Sequence, residues 1–141
     1  MTNTPFSHNG PLRSYGRTQG RPLSERRQEL FDELLPTIKI PNTTPKALDP
    51  ATIFDSALED IWLEIGFGGA EHLCQQAQQN PKTGIIGVEP FKDGVAKALS
   101  YIDQMALQNV RLHHGDARDI VQRLQNNSLD RVFILFPDPW P

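Results

Sequence analysis

Residues 60 to 71, Asp-Ile-Trp-Leu-Glu-Ile-Gly-Phe-Gly-Gly-Ala-Glu, constrain the fold more than any other stretch of the chain. The apolar run from Ile61 to Ile65 reads as a buried strand, and Gly66, Gly68 and Gly69 interrupt it just before a helical pattern begins. Glycine has no Cβ, so such a loop reaches backbone angles closed to other residues and lets a ligand come close to the main chain. A tight βα turn without a ligand would use the same residues, and the loop alone does not decide between the two.

The neighbours of the loop narrow the choice. A dinucleotide fingerprint starting at Gly66 would need glycine where Glu71 stands, and a carboxylate at that helix N-terminus would repel a pyrophosphate. No Gly-Lys-Ser/Thr follows, which excludes a P-loop. A phosphate-free cofactor with a cationic centre and an amino-acid tail fits better, and S-adenosylmethionine has those features. Gly66 and Gly68 would line its cradle. Glu64, at the carboxyl end of the strand, either meets the cofactor's charge or braces the loop.

From Asp60 onward strands and helices alternate. Ala70, Leu73, Cys74 and Ala77 recur at helical spacing until Asn80-Pro81, and Gly84 to Val88 forms a second strand. Val95, Ala98, Leu99, Ile102 and Ala106 line a longer helix, and Val110 to His113 forms a third strand. Ile120, Val121 and Leu124 mark a third helix, Asn126-Asn127 a turn, and Leu129 to Phe136 a fourth strand. Such alternation predicts an α/β fold: a parallel sheet with helices on both faces, right-handed crossovers, and a ligand beyond the carboxyl ends of the strands.

Those ends carry four acids: Glu64, Glu89, Asp116 and Asp138. Four carboxylates on one rim repel unless something is bound among them. Glu89 lies 23 residues beyond Gly66, the spacing at which an acid accepts hydrogen bonds from ribose hydroxyls. Asp116 would accept from an adenine amino group, cap the helix that follows, or both. In Phe136-Pro137-Asp138-Pro139-Trp140-Pro141, three prolines stiffen the backbone around Asp138 and Trp140. An aromatic beside an acid suits a flat heteroaromatic substrate; the alternative is a proline-stiffened exit with Trp140 packed beneath it.

With 38% hydrophobic and 22% charged residues, 141 residues suffice for one domain with a core. Residues 1–23 read as a disordered basic arm, 24–59 as an N-terminal helix and Pro-rich connector, and 60–141 as the cofactor-binding segment, which the family resemblance given below implies is half of a larger domain. The helix is expected to start at the N-cap Ser24 and to end at Pro36, and Pro50 to open a further turn running to Leu58. Arg13, Arg17 and Arg21, with no acid among residues 1–24, make that piece +3 against a net charge of −3, so the rest carries −6. Such an arm either contacts a nucleic-acid backbone or is a solvated tail. The single cysteine, Cys74, excludes an intrachain disulfide and reads as a small apolar helix residue. No apolar run approaches membrane-spanning length, and a soluble, cytoplasmic protein is expected. His72, His113 and His114 lack ligand spacing, so they read as structural or surface residues and no metal is expected.

With Glu-Ile-Gly-Phe-Gly at 64 to 68 and Phe-Pro-Asp-Pro-Trp-Pro at 136 to 141, the chain resembles the bacterial tRNA (guanine-N7-)-methyltransferase family. Arg-Ser-Tyr-Gly-Arg at 13 to 17 and Gly-Arg-Pro-Leu-Ser at 20 to 24 extend the likeness. The resemblance implies a Rossmann-like class I methyltransferase fold, S-adenosylmethionine as methyl donor and tRNA as partner. It implies donor contacts at Glu64, Glu89, Asp116 and Asp138, with Asp138 also the active-site acid. The chain departs from the family pattern at Ala70, where a third loop glycine is common, and it looks like an N-terminal portion, truncated after the fourth strand. The alternatives are a class I methyltransferase acting on a small molecule or protein, and an inactive fragment.

Overall fold

A computed structural model describes residues 22–42 and 47–135. Arg13, Arg17, Arg21, Asp138 and Trp140 lie outside the described residues. The Ser24 hydroxyl accepts from the Arg27 amide at 3.2 Å and opens α1 (Glu25–Glu33) as expected. Pro36 does not end the helical region. It sits in the first turn of a second short helix, α2 (Leu35–Ile38), where its missing N–H would have had no partner. A 3₁₀ turn at Pro50–Ile53, with the Asp49 carboxylate accepting from Ala51 N–H, stops well short of Leu58.

The core of the fold is β1 (Asp60–Ile65), α3 (Glu71–Gln79), β2 (Thr83–Glu89), α4 (Lys92–Met105), β3 (Val110–His114), α5 (Arg118–Val121) and β4 (Arg131–Ile134). All strand pairs are parallel, in the order β3-β2-β1-β4. The chain moves from β1 outward through β2 to β3, then returns to the other side of β1. The order therefore reverses beside β1, and open parallel sheets bind ligands at such a reversal.

That reversal also decides which face each helix covers, because right-handed crossovers running in opposite directions put their helices on opposite faces. Leu73, Cys74 and Ala77 of α3 and Val95, Ala98, Leu99 and Ile102 of α4 pack with Trp62 on one face, under Leu30 and Leu35 of the N-terminal helices. Ile120 of α5 packs with Ile61, Leu63, Ile86 and Val88 on the other, where Ile40, Leu48 and Phe54 of the connector complete the layer. Buried Arg111 pins that connector: its Nε donates to Ile53 O at 2.8 Å and its guanidinium stacks on Phe54.

The last two elements are shorter than the pattern predicts. α5 is one turn, and Val121 is exposed rather than part of an apolar face. β4 starts at Arg131 because Asp130 is occupied in closing the start of β1, its carboxylate accepting from Ile61 N–H at 2.8 Å. The turn before it places Asn127 at φ +59°, a conformation its side chain tolerates.

Candidate functional site

β1 leads into the glycine loop, and the loop needs the residues it has. Gly66 and Gly68 sit at φ +71° and +59°. Ala70, at the third position, is also left-handed at φ +71°, so the chain holds there a conformation that glycine adopts without cost. The loop is closed from β2. Glu89, only 3% exposed, accepts from Gly68 N–H through Oε1 at 2.7 Å and from Phe91 N–H through Oε2 at 3.0 Å. One carboxylate thus ties the loop to the start of α4. Each of its oxygens keeps a second lone pair, so these bonds are compatible with accepting from a ligand hydroxyl.

α4 presses on the same loop. A Cβ at Gly94 would stand 2.5 Å from Gly68 O and 3.0 Å from Glu89 Cγ, too close to exist. The exit of β4 arrives from the other side, with Leu135 O 3.9 Å from where a Cβ on Gly66 would sit.

Glu64 is the unusual group. It is completely buried, and its Oε1 lies 2.6 Å from His72 Nδ1 while its Oε2 has no hydrogen-bond partner among the described residues. Burial pushes its carboxyl above the ordinary range, and the His72 bond pulls it partly back. A buried carboxylate oxygen left unpaired is costly, so Glu64 Oε2 is an unsatisfied acceptor at the carboxyl end of β1.

His72, expected to be a structural or surface residue, is thus the partner of the site's buried acid. Its second position on α3, directly after the loop, was the available signal. Its ring also meets Phe133 of β4 edge-on at 5.0 Å.

Asp116 occupies the neighbouring strand exit. Gly115 N–H donates to Glu89 O at 3.0 Å, which joins that exit to the end of β2. The Asp116 carboxylate faces its own loop: Oδ1 accepts from Arg118 N–H at 2.8 Å and from Nε at 3.0 Å, and Oδ2 accepts from the guanidinium at 2.7 Å. Those bonds hold its carboxyl down to about 2. Asp116 holds the Arg118 amide, but the N-cap of α5 is Ala117 and has no side-chain cap; contact with an adenine would require sharing the Asp116 carboxylate with Arg118.

Cys74 is buried beneath the loop, and burial, with Glu64 and Glu71 nearby, pushes its thiol up to about 12. A hollow of about 280 Å³ between α1, α3 and α4 is lined by Arg27, Glu71, Lys97, Ser100, Tyr101 and Gln104, and it holds none of the predicted donor contacts. Among the described residues no group of three or more His, Cys, Asp or Glu could hold a metal ion. No described helix is long and apolar enough to cross a membrane.

A parallel sheet that reverses beside β1, with a glycine loop held by the acid ending β2, is the class I methyltransferase fold. The described structure matches 16S rRNA methyltransferase KamB with a TM-score of 0.51 at 21% identity, over 73% of this chain and 48% of that one. The chain belongs to the family described as "Putative methyltransferase", whose profile matches residues 59–141.

Among its relatives, tRNA (guanine-N(7)-)-methyltransferase of Caulobacter vibrioides is 53% identical over 137 residues, covering 97% of this chain and 59% of that protein. The protein of the same name from Hyphomonas neptunium is 52% identical over 130 residues, covering 92% and 58%. That from Zymomonas mobilis is 47% identical over 143 residues, covering 98% and 60%. The chain therefore spans about three-fifths of the length of these relatives.

Proposed function

We propose that this chain carries the S-adenosylmethionine-binding part of a tRNA (guanine-N7-)-methyltransferase, with residues 60–141 as its cofactor-binding half. The observation that carries the reading is the pairing of a Glu89-closed glycine loop with a buried Glu64 that has one oxygen unpartnered among the described residues. Three tRNA (guanine-N(7)-)-methyltransferases at 47 to 53% identity support the substrate.

The residues fit a phosphate-free donor. Glu71 in the first turn of α3 disfavours a phosphate there, whereas Glu64 Oε2 favours an ammonium. Glu89 would hold the ribose hydroxyls, Gly66 and Gly68 the close main-chain wall, and Asp116 the adenine amino group. When bound, S-adenosylmethionine supplies a methyl group made electrophilic by its sulfonium.

Guanine N7 carries an in-plane lone pair and no proton, so no residue has to act as a base. The protein's contribution is alignment and exclusion of water, worth roughly 7 to 11 kcal/mol when alignment is good. Asp138, three residues beyond Leu135 in the sequence, would orient the guanine edge and stabilise the positive charge that develops on the purine, with Trp140 stacking on the base. Arg13, Arg17 and Arg21 would contact the tRNA backbone, so binding should weaken with salt.

The test is a calorimetric titration of the chain with S-adenosylmethionine, paired with a methyl-transfer assay on tRNA and on small-molecule and protein acceptors by the chain itself. Donor binding that is lost in Glu89→Ala, with transfer confined to tRNA, is the expected result. A chain that takes up no donor, or that methylates only other acceptors, overturns the reading.

A further inference from the structure

His72 bonds Glu64, the fully buried acid at the end of β1, and that bond decides which of its two carboxylate oxygens has no partner among the described residues. With Glu64 ionised the carboxylate can only accept, so the proton lies on His72 Nδ1 and the bond to Oε1 is N–H···O at 2.6 Å. Oε2 is then the oxygen without a partner among the described residues. The imidazole cannot pivot freely to change this, because its ring rests edge-on against Phe133. Glu64 itself is held in the ladder, opposite Gly87 of β2 and Phe133 of β4.

We propose that His72 is a positioning residue of the methyl-donor pocket: by holding Glu64 Oε1 it presents Oε2 to the ammonium of the donor's amino-acid tail. The inference rests on the donor reading given above. It assigns to His72 a task in recognising one end of the ligand, whereas a merely structural histidine would influence the whole pocket or none of it.

Two compounds separate the ends of the ligand. S-adenosylhomocysteine keeps the amino-acid tail, and 5′-methylthioadenosine lacks it. Two substitutions separate the properties of the histidine. His72→Phe keeps a ring against Phe133 and removes the donor; His72→Asn keeps a donor near the Nδ1 position and removes the ring.

In calorimetric titrations of the chain, His72→Phe should weaken S-adenosylhomocysteine about tenfold or more, as expected for a lost charge-assisted bond, and leave methylthioadenosine unchanged. His72→Asn should recover most of the loss. In the ligand-free wild type, ¹⁵N chemical shifts should show His72 protonated on Nδ1.

Equal weakening of both compounds in His72→Phe, no weakening of either, an Asn variant no better than Phe, or an unprotonated Nδ1 overturns the inference and leaves the donor reading standing. A wild-type chain that binds neither compound overturns both.

Discussion

β1 has two neighbours, and they are built differently. All seven residues of β2 are buried, between α3 and α4 on one face and the connector on the other. In β4, Arg131, Val132 and Ile134 are exposed and only Phe133 is half-buried. The β2 side holds the loop-closing Glu89 and the tight approach of Gly94. The β4 side leads into residues 136–141 and is held by softer contacts, with Arg131 stacked 4.7 Å from the Trp62 ring.

The difference teaches where geometry is over-determined. A donor pocket built against β2 inherits the rigidity of a packed core. A strand with Ile134 53% exposed and its outer edge unpaired among the described residues is a surface on which further chain can be laid.

The sharpest way to break this contrast is to cut the same side chain on both strands. Ile86→Ala should cost about 2–5 kcal/mol, because it leaves a cavity in a closed layer. Ile134→Ala should stay within about 0.5 kcal/mol, as exposed substitutions do. Urea denaturation measures both, and equal losses would mean that β4 is as much core as β2.

Gly94→Ala tests the loop side next. In an unobstructed helix the change would gain about 1 kcal/mol from propensity. Here a Cβ would collide with the Gly68 carbonyl, so a loss of about 1–3 kcal/mol is expected, together with loss of donor binding. A stabilised variant would show that α4 does not press on the loop.

Glu64 gives a smaller effect that is read from its pH dependence. Its carboxyl is raised by burial, so its contribution to stability is full below the ordinary value of 4.5 and is lost as pH rises through the raised one. Glu64→Gln has no such leg. Denaturation across this range should show wild type losing ground to the Gln variant as pH rises, and parallel curves would mean that the carboxyl is not perturbed.

The smallest effect belongs to the exposed rim. Asp116 is held down to about 2 by Arg118, so the pair stabilises above the ordinary 3.8 and ceases to as pH falls towards about 2. Arg118→Ala should therefore lower thermal stability slightly at neutral pH, with the gap closing in acid. A pH-independent gap would assign the loss to packing instead.

The parallel sheet, the glycine loop and the placing of Glu64 and Glu89 at strand ends were all legible in the chain, because each rests on a local period or a fixed spacing. Legibility failed where a distant partner intervenes. Pro36 looked like a terminator, yet α2 begins around it because Leu35 and Ile38 find the core. α5 looked longer, yet Leu48 of the connector bonds Arg123 O and Gln125 N–H on either side of Leu124 and takes up the backbone groups that would extend it. His72 looked incidental because its partner, eight residues earlier on another element, becomes a neighbour only when the loop folds back.

The sequence by itself determined the alternation of strands and helices from Asp60 onward, since hydrophobic period and glycine placement act within a few residues of chain. Only the tertiary structure decided that Glu64 keeps one oxygen without a partner among the described residues, that Glu89 closes the loop, and that Asp116 turns to Arg118. Each of those is a choice among hydrogen-bond partners, and that choice is settled by which groups burial brings together away from water.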